Sequence, residues 1–451
     1  MQSLKQKKLL ILGGNMLSTD IVSKAKELGI YTIVTDWYEP DKSPAKLLAD
    51  EYWNVSVADI DELVALVEEH NVEGIFTNYT DSYLPFYQQL CERTNLPCLA
   101  TAEQLDIISN KDKSKQLCIS YNIAVSKCYE IDGIEDIDTV NSISFPVLTK
   151  PVDNSGQRGI FVCKTLDELK FFYTKSLELS EKKKVLVEEY VQGDYVVMFY
   201  TIQNGKVTLS TMADKPVTDD FVDNQVKLPK GYILPSRYIS LCIEKMLPNV
   251  QAFVTDLQIK NGIIGIEAVV RNNDIFVFEM QFRLGGMRHH NFVLKENGMD
   301  IMAMLIKFSL TGSFDGWDAS KYDNPFFKHY YCLLNVLIKP DVVCRVEGLE
   351  NARNLPQVTN FTQMLFEGDQ VHLPGTVQQI FCKFSLMEDR LDKLLDIVKY
   401  IQIGTPIYKR MDIARDETFV TQTQNGTNLN MPYLGKNVVV GIIDNGFEYG
   451  H

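Results

Sequence analysis

Three observations point to a multidomain protein of mixed α/β and α+β class. Residues 1 to about 105 alternate strand and helix signals, as a parallel sheet of βαβ units requires. Between residues 185 and 282, apolar runs joined by short polar turns indicate antiparallel strands. At 451 residues the chain is also too long for one ordinary core, so two to four units are expected.

The N-terminal alternation reads KKLLIL, TDIVSKAKELG, YTIVTD, DIDELVALVEEH and GIFTNY. The basic residues and short apolar run at the start form a first strand, Lys7 to Leu12, because the run is too short for a signal peptide and meets glycines. Gly13-Gly14 follow this strand and Asp36 ends the second, which invites a dinucleotide reading. The turn reads GGNMLS and lacks the later glycines of GxGxxG, so Asp36 reads as a loop cap or substrate contact rather than a ribose ligand. From Asn110 the order is a helix (NKDKSKQLCISYN), a buried strand (FPVLTKPV), a polar loop (DNSGQRG), a strand (IFVCK), a helix (LDELKFFYTKSLEL) and a buried strand (VLVEEYV). The antiparallel signals YVVMFYTI, KVTLSTM, GIIGIEAVV and IFVFEMQF come next, then a helix near residues 300–310. Residues 325 to about 402 form a smaller β-rich unit closed by DRLDKLLDIVKYI.

A composition of 45% apolar and 23% charged residues is ordinary for a globular protein. The formal charge of −14 disfavours nucleic acid and anionic membrane as partners, since both reward a basic face. No run approaches the roughly 20 apolar residues of a membrane span. Nine scattered cysteines without CxxC spacing read as reduced thiols, which places the expected compartment in the cytoplasm.

The chemistry concentrates in GIIGIEAVVRNNDIFVFEMQFRLGG. With Asn272-Asn273-Asp274 as a three-residue hairpin loop, Arg271 faces Ile275 and Glu267 faces Glu279. Opposed like charges in apolar strands need neutralising, and a cation does so. Gln281 lies on the face of Glu279 and completes a hard oxygen set suited to Mg²⁺ shared with phosphates. A loop one residue different would put the two glutamates on opposite faces. Lys150 before the DNSGQRG loop is either a solvated strand end or a phosphate contact, with backbone N–H groups beside it. Glu188 and Glu189 are either an exposed edge or a hinge whose backbone, at Glu189 and Val191, meets an adenine.

In order and spacing, Lys111, Lys150, Glu188-Glu189-Tyr190-Val191, Glu267, Glu279 and Gln281 resemble the ATP-grasp superfamily over roughly residues 5–400. That superfamily includes biotin carboxylase, D-alanine–D-alanine ligase and the carbamoyl phosphate synthase large subunit. The resemblance implies a Rossmann-like pre-ATP-grasp domain over 1–108 and a two-lobed ATP-grasp domain over 109–312, with a lid lobe to about 190. A β-rich unit would follow over 313–403. It also implies ATP with Mg²⁺ (Mn²⁺ as the alternative cation), with Lys111 and Lys150 on the phosphates and Ser155, Gly156 and Gly159 in a covering loop. Glu188, with the backbone of Glu189 and Val191, would hold adenine, and Asp194 the ribose. Glu267, Glu279 and Gln281 would ligate the metal, and Arg283 would steady the transferring group. Gly285-Gly286 would lie near the carboxylate substrate. Gln281 stands where the family often has Asn, and Asp194 where it often has Glu. Lys215 is either a further phosphate contact or a solvated loop lysine, and His289 a structural or substrate-pocket residue.

Residues 404–451 resemble the start of a subtilisin-like protease domain, with Asp444 at the triad aspartate, but no downstream His and Ser follow. A truncated tail that packs poorly and carries no protease activity is expected. The function implied is activation of a small carboxylate as an acyl phosphate for an amine or thiol nucleophile. The alternatives are a carboxylase or carbamoyl-phosphate-type enzyme using bicarbonate, a non-catalytic ATP-binding regulatory protein and, more distantly, a dinucleotide-dependent oxidoreductase. A homodimer through the N-terminal unit is the default assembly.

Overall fold

The computed structural model describes residues 4–77, 79–138, 143–152, 157–218, 224–314, 316–372, 375–401 and 443–444. The chain forms two compact units. The first comprises Met1–Ser155, Val162–Asp214 and Leu234–Phe327; the second comprises Gly156–Phe161, Lys215–Ile233 and Lys328–His451.

The first unit begins with β1 (Lys8–Leu12), α1 (Ser18–Glu27), β2 (Tyr31–Thr35), α2 (Pro44–Leu48), β3 (Glu51–Trp53), α3 (Ile60–Glu69), β4 (Gly74–Thr77) and α4 (Leu84–Thr94). The strands pair in parallel in the order β3-β2-β1-β4. Continuous burial of Leu9–Leu12 and Thr32–Thr35 is what a parallel sheet covered on both faces demands. The short edge strand β3 carries no alternation long enough to read from sequence. The turn after β1 is tied to the end of β2 by Asp36: its Oδ2 accepts from the Gly14 N–H at 2.9 Å, and its Oδ1 from the Tyr38 N–H at 2.9 Å. Asp36 is thus a loop cap, one of the two roles the sequence allows it. A Cβ on Gly14 would lie 2.0 Å from Ser43 Oγ, so only glycine fits beneath this strap.

Next come α5 (Ala102–Ser109), α6 (Lys111–Ser120), β5 (Cys128–Tyr129), β6 (Val147–Pro151), β7 (Phe161–Cys163), α7 (Leu166–Leu179) and β8 (Val185–Glu189). Their strands form a small sheet of order β5-β8-β6-β7. The Asn110 side chain caps α6 by accepting from the Asp112 and Lys113 N–H groups, which sets Lys111 in the first turn.

β9 (Asp194–Gln203), β10 (Lys206–Asp214), β11 (Gly231–Leu234), α8 (Ile239–Lys245), α9 (Leu247–Asp256), β12 (Gly262–Arg271) and β13 (Asp274–Gln281) follow, then α10 (His289–Asn297), α11 (Ile301–Thr311) and α12 (Ala319–Tyr322). In the first unit the antiparallel order is β13-β12-β9-β10. One face of this sheet, with Met198, Tyr200, Ile264 and Ile266, shares a core with Val250 and Phe253 of α9. The period-2 alternation therefore turns Val197, Phe199, Gly265 and Glu267 to the other face.

In the second unit β11 joins β14 (Tyr330–Leu337), β15 (Arg345–Val346), α13 (Leu349–Arg353), β16 (Val358–Gln363), β17 (Ile380–Glu388) and α14 (Leu391–Ile401). Its sheet runs β11-β14-β17-β16 over a core that includes Leu334, Phe381, Phe384, Leu386 and Leu394. Of the tail, only Ile443–Asp444 is described, as a backbone pair with Arg345–Val346; the rest lies outside the described residues. No described helix is long and apolar enough to cross a membrane.

Candidate active site

The β12–β13 hairpin turns on two residues, not the three the sequence suggests. Asn272 and Asn273 both have positive φ (52° and 63°), and Arg271 faces Asp274. Asparagine tolerates this conformation, which matches the twist of a tight hairpin. Carried along the strands unbroken, that register would place the two glutamates on opposite faces. A β-bulge corrects it: Ala268 pairs with Val277, but Glu267 pairs with Glu279, leaving Phe278 as the extra residue. Glu267 and Glu279 therefore do face each other, through a shorter turn plus a bulge.

The bulge also exposes a carbonyl. Lys150 Nζ, buried at the end of β6, donates to Phe278 O at 3.0 Å. Lys111 Nζ donates to Pro151 O at 3.3 Å, and both ammonium groups act electrostatically on Glu279. Burial and the facing Glu267 push the Glu279 carboxyl above its ordinary range, and Lys111 and Lys150 pull it partly back. Gln281 pairs with Gly265, and a Cβ at Gly265 would lie 2.6 Å from Gln281 Nε2. The missing side chain thus makes room for the Gln281 amide on the glutamate face. Two carboxylates and an amide oxygen on one sheet face fit a hard divalent cation.

A narrow cavity beside this pair is lined by Lys111, Ser114, Lys115, Val125, Glu188 and Glu279. Glu188 is 3% exposed, with Oε1 3.2 Å from Lys115 Nζ and Oε2 accepting from Ser126 Oγ at 2.7 Å. Burial opposes its ionisation, but the charges of Lys150 and Lys115 and these hydrogen bonds outweigh burial and hold the carboxyl below its usual range. Its carboxylate is thus engaged by Lys115 and Ser126, while the resemblance expects Glu188 to help hold an adenine. The backbone beside it remains suited to that task. The Glu189 N–H is taken by Lys127 O at 2.8 Å and the Tyr190 N–H by Pro146 O at 3.0 Å, while the Val191 N–H has no partner among the described residues. The Glu189 side chain is held by Arg271 at 2.9 Å. Asp194 is half-exposed and paired with Arg237 at 2.9 Å and with the Tyr238 hydroxyl.

Arg283 makes a two-pronged pair with Asp81, with Nε 2.6 Å from Oδ1 and Nη2 on Oδ2. Asp81 lies just past β4 and also acts on Glu279, so this pair stands beside the carboxylates. A Cβ on Gly285 would fall 2.1 Å from the Phe199 ring, whereas one on Gly286 would have only Leu17 near it, at 3.9 Å. His289 is fully buried and stacks on Phe199 at 3.8 Å and 7°, with both ring nitrogens unpartnered. Burial drives this imidazole far below its ordinary pKa, so it is neutral. Gly159 (φ 79°) and Lys215 belong to the second unit, where the Lys215 ammonium lies over the Tyr232 ring at 6.0 Å. Ser155 and Gly156 lie outside the described residues.

Sequence reasoning missed Lys115 and Asp81. Lys115 had a signal, since it falls four residues after Lys111 on one helix face. Asp81 had none, because its partner is 202 positions away.

Comparison with known proteins agrees with this geometry. Residues 143–291 match the ATP-grasp domain family. The formate-dependent phosphoribosylglycinamide formyltransferase of Prochlorococcus marinus is 25% identical over 284 residues, covering 61% of this chain and 70% of that protein. Among solved structures, the L-amino acid ligase of Bacillus licheniformis superposes with a TM-score of 0.73 at 16% identity, covering 88% of this chain and 96% of the other. The biotin carboxylase domain dimer of Hydrogenobacter thermophilus 2-oxoglutarate carboxylase, solved with MgADP and bicarbonate, has a TM-score of 0.67 at 17% identity and covers 86% and 88%. The facing glutamates, the lysines converging on them and these matches together show that the chain carries an ATP-grasp domain.

Proposed function

We propose that this protein is an ADP-forming ligase that activates a small carboxylate with ATP and joins it to an amine. The observation that carries the reading is the Glu267–Glu279 pair, aligned by a bulge whose own carbonyl positions Lys150. Glu267, Glu279 and Gln281 would hold Mg²⁺, which supplies charge neutralisation between ATP phosphates when bound. Lys111 and Lys150 bring further positive charge to where the γ-phosphoryl group transfers, so catalysis is positioning plus electrostatics. Buried Glu188 holds Lys115 in place, and the Val191 N–H offers a donor to the adenine edge.

In the first step a substrate carboxylate oxygen attacks the γ-phosphorus, and the bond to ADP breaks. In the second the amine nitrogen attacks the acyl carbon, the carbon–oxygen bond to phosphate breaks, and the nitrogen loses a proton. Arg283, oriented by Asp81, would steady the negative charge that develops on the acyl phosphate. The deciding experiment is ADP release with Mg²⁺ and ATP across pools of carboxylic acids and amines, in wild type and Glu279→Ala. Stimulation by a carboxylate–amine combination that vanishes in the variant supports the reading; undiminished turnover in Glu279→Ala removes the metal assignment.

A further inference from the structure

Helix α4 ends at Thr94, and the chain reverses through Asn95, whose φ of 54° is left-handed, with the Leu96 N–H donating to Cys91 O at 3.0 Å. The reversal lays Cys98 against the core that holds Tyr87 and Cys91. There the two thiols meet: Cys91 donates to the Cys98 sulfur, and so do the Tyr87 hydroxyl and the Leu99 N–H. The Leu99 N–H also lies 3.3 Å from the Tyr87 oxygen, and the Cys98 thiol gives its own hydrogen to Ala100 O at 3.1 Å. A buried cysteine ordinarily serves as a small apolar group. Cys332 and Cys382 do so in the core of the second unit, where burial pushes both thiols up. Cys98 differs: the Cys91 thiol, aided by the backbone and Tyr87 donors, holds it below its ordinary range although burial opposes this. Cys91, as the donor, is pushed far up by the same contact and by burial, so it stays a thiol.

Donors gathered on one sulfur favour its thiolate, which is the form that attacks an oxidant. Access separates the two roles, since Cys98 is part-buried and Cys91 is fully buried. In the first step the Cys98 thiolate attacks one oxygen of hydrogen peroxide and the oxygen–oxygen bond breaks. Sulfur keeps a hydroxyl group as a sulfenic acid, and the departing hydroxide takes a proton to become water. In the second the Cys91 sulfur attacks the sulfenic sulfur, a disulfide bond forms, and the sulfur–oxygen bond breaks. The Cys91 proton leaves with the hydroxyl as a second water. Tyr87 and Leu99, which both hold the Cys98 sulfur, also line a cavity with Leu84, Phe282 and Arg283. Turning that sulfur to Cys91 takes an acceptor away from the Tyr87 hydroxyl, so the oxidation reaches the wall beside Arg283.

We infer that Cys98 and Cys91 are a peroxide-reactive thiol pair, closed to a disulfide by oxidation, and that closing it lowers activity through the wall shared with Arg283. The thiol chemistry stands by itself; the effect on activity rests on the ligase reading above. The test exposes the full chain, freed of reductant, to a limiting amount of hydrogen peroxide and follows each cysteine by peptide mass mapping. The expected product is a Cys91–Cys98 link that removes two of the nine thiols. It should form roughly tenfold faster than oxidation of Cys128 or Cys344, the two exposed cysteines. Cys91→Ser should stop at a sulfenic acid on Cys98, captured by dimedone, and Tyr87→Phe, which keeps the ring, should slow the reaction. Oxidation of Cys128 and Cys344 ahead of Cys98, or of Cys98 with no link to Cys91, would overturn the inference. ADP release with the stimulating carboxylate–amine pool should fall on oxidation, recover with dithiothreitol and stay unchanged in Cys98→Ser. A disulfide that leaves ADP release untouched would overturn the coupling to Arg283. Absence of ADP release from the reduced protein would instead sink the ligase reading itself, so the two failures are distinguishable.

Discussion

Glu267 and Glu279 face each other on adjacent strands, so the metal-free protein carries an electrostatic cost that a neutral residue would relieve. Directly opposed residues lie about 5 Å apart, and two like charges at that distance repel by about 3 kcal/mol at an effective dielectric constant near 20. Lys111 and Lys150 recover part of this. Replacing Glu279 by the isosteric Gln removes the repulsion together with that recovered attraction, for a net gain of roughly 1–2 kcal/mol. The assay is thermal unfolding at pH 8 in EDTA, where Glu279→Gln is expected to melt roughly 1–3 °C above wild type. Adding Mg²⁺ with nucleotide should reverse the ranking, because a ligand that binds only the folded state stabilises it by mass action. A variant less stable than wild type in EDTA, or one keeping the full Mg²⁺-dependent shift, would refute the paired-carboxylate argument.

Three further outcomes follow from the same geometry. Lys115→Met strands the Glu188 carboxylate in the interior and should cost about 3–5 kcal/mol in denaturant unfolding. The double variant Lys115→Met/Glu188→Leu should recover most of that loss, and no recovery would mean the pair is not the cause. Gly265→Val puts carbon where the Gln281 amide and the Phe199 ring now sit, at 2.6 and 2.7 Å. It should destabilise by about 1–3 kcal/mol and weaken Mg²⁺ affinity, read by metal titration with nucleotide bound. Asp323, beside α12, accepts from Thr208 and Ser210 at 2.6 Å each, yet burial outweighs these bonds and raises its carboxyl to about 6. A raised carboxyl costs stability above its unfolded value of 3.8, and the cost grows until pH passes 6. Asp323→Asn should therefore gain on wild type by about 1.4 kcal/mol between pH 5 and pH 7.5, checked by unfolding at both pH values.

The strand and helix signals around the site were legible because each depends on local pattern. The buried runs of β1, β2, β6 and β8, the amphipathic α3 and the antiparallel β9, β10, β12 and β13 all lie where periodicity places them. The facing of Glu267 and Glu279 was legible for a partly different reason than the structure supplies. Sequence spacing counted a three-residue loop; the chain uses a two-residue turn and recovers the offset at Phe278. A bulge leaves no period of its own, so pattern alone cannot distinguish it from a longer loop.

What the sequence determined by itself was the order of the elements and the residue types able to hold a nucleotide and a metal. Strand periodicity, the paired glutamates and the spaced lysines are properties of neighbouring positions. Which of those groups meet was decided only by tertiary structure. Glu188 turned inward to Lys115 and Ser126, Arg283 found Asp81 across 202 positions, and the Tyr79 ring came to lie beside that of His290. The physical reason is that burial sets the energy of a charge, and burial depends on every element packed around it, most of them remote in the chain.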